Sequence, residues 1–245
     1  MSRFIDIHAE KRKALNLFQA VEPCVKLLPI KIYHEDTGKE LEHDEIPGHV
    51  ARMSHASTGT TEDNIGLTGR LQKFDPPHGT PLEFHPWLFK ITGVSKSCLT
   101  QFDRNRIGIG FVQMSGRYMD SSERGFVYTA YSEQPFESDK GVFEKCASYA
   151  LKKDEEHFQT CLKAYENARA RGCTKQDARK NLPLAMATGT YVHLNSRSLK
   201  TFFNERLRPS AEWEIRKLAQ MMFDIVYSIA PTHFVKEKSM LDGCL

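Results

Sequence analysis

Hydrophobic residues recur along this chain with two periods, and each change of period marks a new element. Trp87, Phe89 and Ile91 alternate with Leu88, Lys90 and Thr92, which predicts a strand with one buried face. Residues 188–194, TGTYVHL, alternate in the same way, and residues 125–131, GFVYTAY, predict a further strand. Helical spacing appears elsewhere. Behind Ser95, a residue suited to helix capping, Cys98, Leu99 and Phe102 form a stripe, so SKSCLTQFDRNR reads as a helix with Arg104 and Arg106 at or just past its last turn. A long helix is expected from about Lys140 to Arg171, with Phe143, Cys146, Ala150, Phe158, Cys161 and Tyr165 on one face and Gly172 as its stop. Thr174 and Asp177 have the form of a capping box opening a short helix that contains Arg179 and ends before Pro183. Two helices close the chain, SRSLKTFFNERL and SAEWEIRKLAQMMFDIVYSIA; in the second, Ile215, Leu218, Met222, Ile225 and Ile229 mark a core or subunit-packing face. Nearer the start, residues 3–20 read as a polar helix and TEDNIGLTGRLQKF as a helix with a weak apolar face. The four prolines of DPPHGTPLEFHPW exclude regular helix there and predict an irregular loop.

Two places break the pattern. In SRSLKTFFNERL the face made by Leu199, Phe202 and Phe203 also carries Arg206, a guanidinium where the spacing predicts burial. Either it pairs with a carboxylate such as Glu212 or Glu214, or it points into a ligand cavity. The second place is QFDRNRIGIGFVQMSGRY, which sets Arg104, Arg106 and Arg117 within fourteen residues among Gly108, Gly110 and Gly116. Arginine forks match phosphate and carboxylate, and glycine lets backbone approach a ligand closely, so the stretch is either a solvated surface or an anion site.

Composition narrows the choice. A chain of 245 residues without linker-like runs or repeats fits one compact domain, with a divergent N-terminal extension over about residues 1–45. The 34 basic and 31 acidic residues leave a net charge of only +3, so any basic site must be local. Nucleic-acid binding is disfavoured because aromatic residues do not interleave with the arginines as a stacking surface requires. No apolar run approaches the ~20 residues of a membrane span, and the start lacks a signal-peptide core, so no membrane association and a cytoplasmic location are expected. The six cysteines are scattered, as for reduced thiols, and His78 with His85 matches no common zinc spacing; no metal is expected.

In their order, TPLEFH, QFDRNR, SGRYM, DARKNLPL, NSRSLKTFFNERL and AEWEI resemble the flavin-dependent thymidylate synthases over about residues 50–234. The family's arginine-histidine-arginine signature, followed after seven residues by Ser-Gly-Arg-Tyr, is matched here by RNR, eight residues and SGRY. The resemblance implies an α+β fold, with a mixed sheet and long helices, assembled as a homotetramer whose sites are shared between subunits. It implies reductive methylation of dUMP to dTMP, with FAD as cofactor and methylenetetrahydrofolate and NADPH as co-substrates. Carried over by position, Gln101, Arg104, Gln113, Ser115, Gly116, Arg117 and Arg179 would hold dUMP. Ser54, Thr80, Arg104, Asn105, Arg106, Asn195, Arg197 and Thr201 would lie along FAD. Arg206 would also touch dUMP and stabilise negative charge on the uracil as N3 loses its proton; with Ser115 it is the candidate catalytic pair.

The departures from the family pattern also carry information. Asn105 stands for the signature histidine, Phe84 is inserted before His85, one extra residue lies between Arg106 and Ser115, Val112-Gln113 replaces an asparagine-glutamate pair, and Ser210 replaces a histidine. They cluster around flavin and folate rather than the nucleotide phosphate. Two alternatives follow: a related C5 methylation or hydroxymethylation of UMP or dUMP, and a nucleotide-binding homologue without chemistry.

Overall fold

The computed structural model describes residues 16–129 and 140–243. Strands β1 (Cys24–Leu28), β2 (Pro86–Ser95), β3 (Ile109–Gln113) and β4 (Ala187–Asn195) form one sheet in the order β1-β2-β4-β3. The helices are α1 (Ile46–Ala51), α2 (Thr61–Lys73), α3 (Lys96–Phe102), α4 (Lys140–Ala170), α5 (Lys175–Ala178), α6 (Ser196–Arg206), α7 (Trp213–Ile229) and α8 (Val235–Leu241). All three strand pairings are antiparallel, which corrects the expected mixed sheet. The long α4 lies between β3 and β4 in sequence, yet those strands pair antiparallel, because a long connection permits a parallel crossover without imposing one.

The alternation in β2 and β4 has the expected result. Trp87, Phe89, Ile91, Val192 and Leu194 enter one face and pack with Leu99, Phe102, Leu199, Phe202, Phe203, Leu218 and Met222 from α3, α6 and α7. Phe102 lies 4.7 Å from Phe202, ring centre to ring centre, so α3 meets α6 near the arginine turn. On the other sheet face Lys90, Tyr191 and His193 are exposed, with Lys90 Nζ 5.7 Å from the Tyr191 ring centre. A second apolar cluster joins Leu17, Phe126, Tyr128 and Met186 to Leu151, Phe158, Leu162, Tyr165 and Ala168 of α4.

The α3 helix stops at Phe102 with Asp103 as its C-cap, so that Arg104 and Arg106 fall just past its last turn, as expected. Several other boundaries differ from those read from periodicity. Phe126 forms isolated bridges with Ala20 and Met186 instead of a strand, burying its ring by side-chain packing. Ile229 is exposed; the buried face of α7 runs through Ile215, Leu218, Ala219, Met222, Phe223 and Val226. The proline loop contains a 3-10 turn over Thr80–Phe84, and α8 follows the two helices expected at the end. The long helix agrees with expectation, ending two residues before Gly172, whose φ is +88°. The side chains of Phe143 and Cys146, and most of the predicted helix over 3–20, lie outside the described residues. No helix among the described residues is long and apolar enough to cross a membrane.

Both helices that reach the arginines are held by buried polar contacts at their first turns. Ser95 caps α3 by accepting the Cys98 amide at 2.9 Å, while its own amide and hydroxyl donate to the buried Glu214 carboxylate at 2.7 and 2.5 Å. At the start of α6, Ser196 Oγ accepts Trp87 Nε1–H at 2.8 Å and lies 3.2 Å from His85 Nδ1 and 3.0 Å from His233 Nδ1. His85 Nε2 is in turn 2.8 Å from His43 Nδ1, and His233 Nε2 lies 3.8 Å from Asp44 Oδ1. One proton arrangement suits every partner: His85 donates to Ser196, Ser196 donates to His233, and His233 presents its remaining N–H towards Asp44. Burial, then neighbouring histidine, lowers the pKa of His85 to about 3, and burial keeps His233 neutral as well.

Candidate functional site

A cleft of about 800 Å³ opens where the turn after α3 meets α6. Of the residues singled out from the sequence, Arg104, Asn105, Arg106, Asn195, Arg197, Thr201 and Arg206 line it, together with Glu83, Ile107, Gly108, Ile109, Ser198 and Glu205. Its construction is local. Asn195 caps α6 by accepting the Ser198 amide at 2.8 Å, and Ser198 Oγ donates to the Ile107 carbonyl at 2.6 Å. Gly108 has φ +68°, and a Cβ there would sit 2.6 Å from Ser198 Oγ and 2.7 Å from Asn195 Nδ2. Only glycine combines that backbone conformation with so close an approach, so Gly108 seats the arginine turn on the N-terminus of α6.

Arg206 forms neither of the ion pairs that its sequence offered. Glu214 is engaged by Ser95, and Glu212 caps α7 by accepting the amides of Glu214 and Ile215 at 3.1 and 3.2 Å. The ion pair that Arg206 does make is with its chain neighbour Glu205, Nη2 to Oε2 at 3.8 Å. Its side chain is 19% exposed and its Nε is buried without a hydrogen-bond partner. An arginine left this way beside a cleft keeps donor capacity that the protein itself does not use.

Other candidates are engaged in ways the sequence did not reveal. Asn105 Nδ2 donates to the Phe102 carbonyl at 3.0 Å, closing the end of α3. Gln113 Nε2 lies 2.7 Å from each carboxylate oxygen of Asp103, which ties β3 to the start of the turn. Gln101 Nε2 is 3.5 Å from Glu212 Oε2. Arg197 pairs with Glu83 of the proline loop, and a Cβ on the neighbouring Gly79 would be 3.0 Å from Arg197 Nε. Thr80, next in the chain, and Ser54, whose hydroxyl donates to the Ala51 carbonyl at 2.8 Å, do not line the cleft.

Ser115, Gly116, Arg117 and Arg179 belong to a second locus beyond the end of β3. Ser115 Oγ accepts the Arg117 amide at 3.3 Å, and the Arg117 guanidinium lies 5.6 Å from the Tyr118 ring centre. Gly116 is buried, and a Cβ on it would be 3.1 Å from Arg179 Cδ, so the loop lies directly on the arginine. Two further cations stand here that the sequence reading passed over, Lys96 and Arg124. Burial lowers the pKa of both, reinforced at Lys96 by Arg124 and Arg179 and at Arg124 by Arg179. Neither belongs to a motif, and their convergence from α3 and the loop after SGRYM had no local signal.

The remaining candidate chemistry is structural. Cys98 is buried and its thiol is pushed up by desolvation, which makes it inert as a nucleophile. His85 lies in the Ser196 knot, while His78 packs against Phe74 in a tilted arrangement, ring centres 4.8 Å apart. A grouping of metal-ligand type among the described residues is His34, Glu35 and His49; there His49 Nε2 pairs with Glu35 at 3.0 Å and His34 Nδ1 accepts the Asp36 amide at 3.2 Å.

Comparison with known proteins gives this architecture a family. The model of the thymidylate synthase complementing proteins matches residues 39–232. A flavin-dependent thymidylate synthase of Geobacter sulfurreducens is 33% identical over 203 residues, covering 80% of this chain and 81% of its own. That of Pyrococcus abyssi is 32% identical over 147 residues, covering 60% of this chain and 57% of its own length. Among solved structures, a UMP/dUMP methylase, PolB from Streptomyces cacaoi, determined with 5-Br dUMP bound, shares the fold with a TM-score of 0.71 at 17% identity, over 89% of this chain and 96% of that one. The chain belongs to the flavin-dependent thymidylate synthase family, a family of methyltransferases.

Proposed function

We propose that this protein methylates C5 of a uridine nucleotide, dUMP in the first instance, with FAD as cofactor, methylenetetrahydrofolate as carbon donor and NADPH as reductant. The observation that carries the reading is Arg206, whose buried Nε has no protein partner and whose guanidinium borders a cleft lined by Arg104, Arg106 and Arg197. The residues present fit a flavin nucleotide. The cleft is of cofactor size, three arginines face it, and the N-terminus of α6 adds the amides and positive dipole end that suit a diphosphate. When bound, a flavin would supply the redox chemistry.

The chain's own residues do the rest. Arg104, Asn105, Arg106, Asn195, Arg197 and Thr201 hold and orient the cofactor, with Ser54 and Thr80 reaching it from elsewhere in the assembly. Gln101, Arg104, Gln113, Ser115, Gly116, Arg117 and Arg179 hold the nucleotide, the arginines towards its phosphate. Arg206 donates to the uracil edge and stabilises the anion formed when N3 gives up its proton, which raises electron density at C5. The low dielectric around its buried Nε strengthens that interaction.

The candidate residues divide between two loci of one chain, which favours sites completed by neighbouring subunits and a homotetrameric assembly. Ile107, Val112, Tyr118 and Leu184 are exposed apolar side chains in or near these loci, at 89%, 72%, 74% and 70%, as expected of surfaces that a ligand or subunit covers. UMP is the second substrate to test, because the fold neighbour is titled a UMP/dUMP methylase and Asn105 is committed to the end of α3. The experiment is a visible spectrum of purified protein incubated with FAD and freed of unbound cofactor, followed by product mass from complete assays with dUMP and with UMP. Retained flavin and a product heavier by one CH2, as methyl replaces the C5 hydrogen, support the reading; a hydroxymethyl product shifts it to the related transfer. Folded, assembled protein that retains no flavin and leaves both nucleotides unmodified overturns it.

A further inference from the structure

Arg124 is a half-buried cation that makes no ion pair among the described residues, with Asp120 acting on it only at longer range. Its Nε and Nη2 are both buried and make no hydrogen bond, and it stands within electrostatic range of Arg179 and Lys96. The carboxylates near this group are engaged elsewhere. Asp120 Oδ1 accepts the Ser122 amide and hydroxyl at 3.0 and 2.7 Å and the Tyr165 hydroxyl at 3.3 Å, and Asp103 is held by Gln113. Tyr165 OH also accepts the Ser121 amide at 3.4 Å, fixing the loop that carries Arg124 to α4. Gathering three cations while leaving two guanidinium donors dry costs stability in the free protein, and an anion placed among them would offset it.

We propose that Lys96 and Arg124 complete an anion pocket with Arg179 beneath the Ser115–Gly116 turn, and that Arg124 is a binding residue for the phosphate group of the nucleotide. Arg179 lies against the Gly116 backbone, where a side chain would collide with it, so the turn brings backbone to the same anion. Arg124 then reaches the phosphate from the interior side, with two donors in a fixed fork, while Lys96 adds a point charge from the first residue of α3. A dianionic phosphomonoester matches this charge; an uncharged nucleoside gains nothing from it. The inference rests on the uridine nucleotide reading, and it adds a residue outside the motifs that support that reading.

The test compares wild type with Arg124→Gln and, separately, Lys96→Gln, by calorimetric binding of dUMP, of 2′-deoxyuridine and of inorganic phosphate to the full-length protein. Arg124→Gln is expected to weaken dUMP binding by about 10- to 100-fold and leave deoxyuridine affinity and flavin retention unchanged. It should also leave the ligand-free melting temperature unchanged or higher, since the unpaired buried charge is gone, and reduce the salt dependence of dUMP binding; a purely structural arginine would do the reverse in melting. Lys96→Gln is expected to weaken dUMP binding less. Wild-type affinity for dUMP in Arg124→Gln, or equal loss of dUMP and deoxyuridine, overturns the proposal. If wild type binds no uridine nucleotide, the functional reading falls and inorganic phosphate decides this pocket alone: binding that depends on Arg124 supports it, and no binding overturns it.

Discussion

The two ends of α6 carry buried polar groups of opposite character. At the first residue, Ser196 Oγ has partners on three sides, Trp87, His85 and His233, all within 3.2 Å. At the last, Arg206 keeps a buried Nε with no partner, although Glu212 and Glu214 lie in the next helix. A buried hydroxyl with every partner in place contributes rigidity and a unique packing, even with His233 Nε2 left 3.8 Å from Asp44 Oδ1 at the edge of the cluster, whereas an unpaired guanidinium nitrogen beside a cleft is a standing cost that binding can remove. The difference separates scaffold from site more sharply than polarity does, since both ends look equally out of place in an apolar stripe.

The comparison breaks most readily at Arg206. On the proposed function, Arg206→Met should lower kcat by about 10²- to 10³-fold while flavin retention and thermal stability hold or improve, because the substitution removes an unpaired donor rather than a contact. Steady-state kinetics beside a melting curve checks this, and a fall in melting temperature with kcat unchanged would assign Arg206 to the scaffold. Ser196→Ala should do the opposite. It orphans the Trp87 N–H and two histidine nitrogens, so a loss of roughly 2–4 kcal/mol in chemical denaturation is expected, with turnover per folded molecule unchanged.

Acidification probes the same knot. The folded-state pKa of His85, about 3, lies below its ordinary value, so between about pH 6.5 and 3 the unfolded chain binds more protons than the folded one. The histidine's contribution to stability is therefore complete above pH 6.5 and is lost on lowering the pH, with a slope of up to about 1.4 kcal/mol per unit for each such histidine. Melting temperatures from pH 7.5 to 4.5 should fall in wild type and fall less steeply in His85→Gln. The smallest effect is expected at Asn105. Asn105→His restores the family residue but forfeits the bond to the Phe102 carbonyl, a cost of about 0.5–1.5 kcal/mol, and flavin titration should then show whether an imidazole serves the cofactor better.

Much of the scaffold was legible from periodicity. The alternation over Trp87–Ile91 and around Val192 gave both central strands, and Ser95, Thr174 and Gly172 gave helix ends, because each is a local preference of a few neighbouring residues. The missed features are those that side-chain packing decides. Phe126 buries its ring without a ladder, and Ile229 is exposed although its spacing assigned it to the packing face. The motif arginines were legible as chemistry but not as two separate loci.

By itself, the order of residues determined the two central strands, the long helix, the glycine-bearing arginine turn and, through its motifs, the family, while β1 and β3 carried no alternation that was read. These follow from neighbours in the chain, where period, capping and turn preference act. Tertiary structure alone decided that Glu214 serves Ser95 and not Arg206, that Gly108 rests on Ser198, and that Lys96 and Arg124, from separate segments, come within electrostatic range of Arg179. The physical reason is that hydrogen-bond satisfaction belongs to pairs of groups. A sequence counts the donors and acceptors, and only the fold determines which of them are left without a partner.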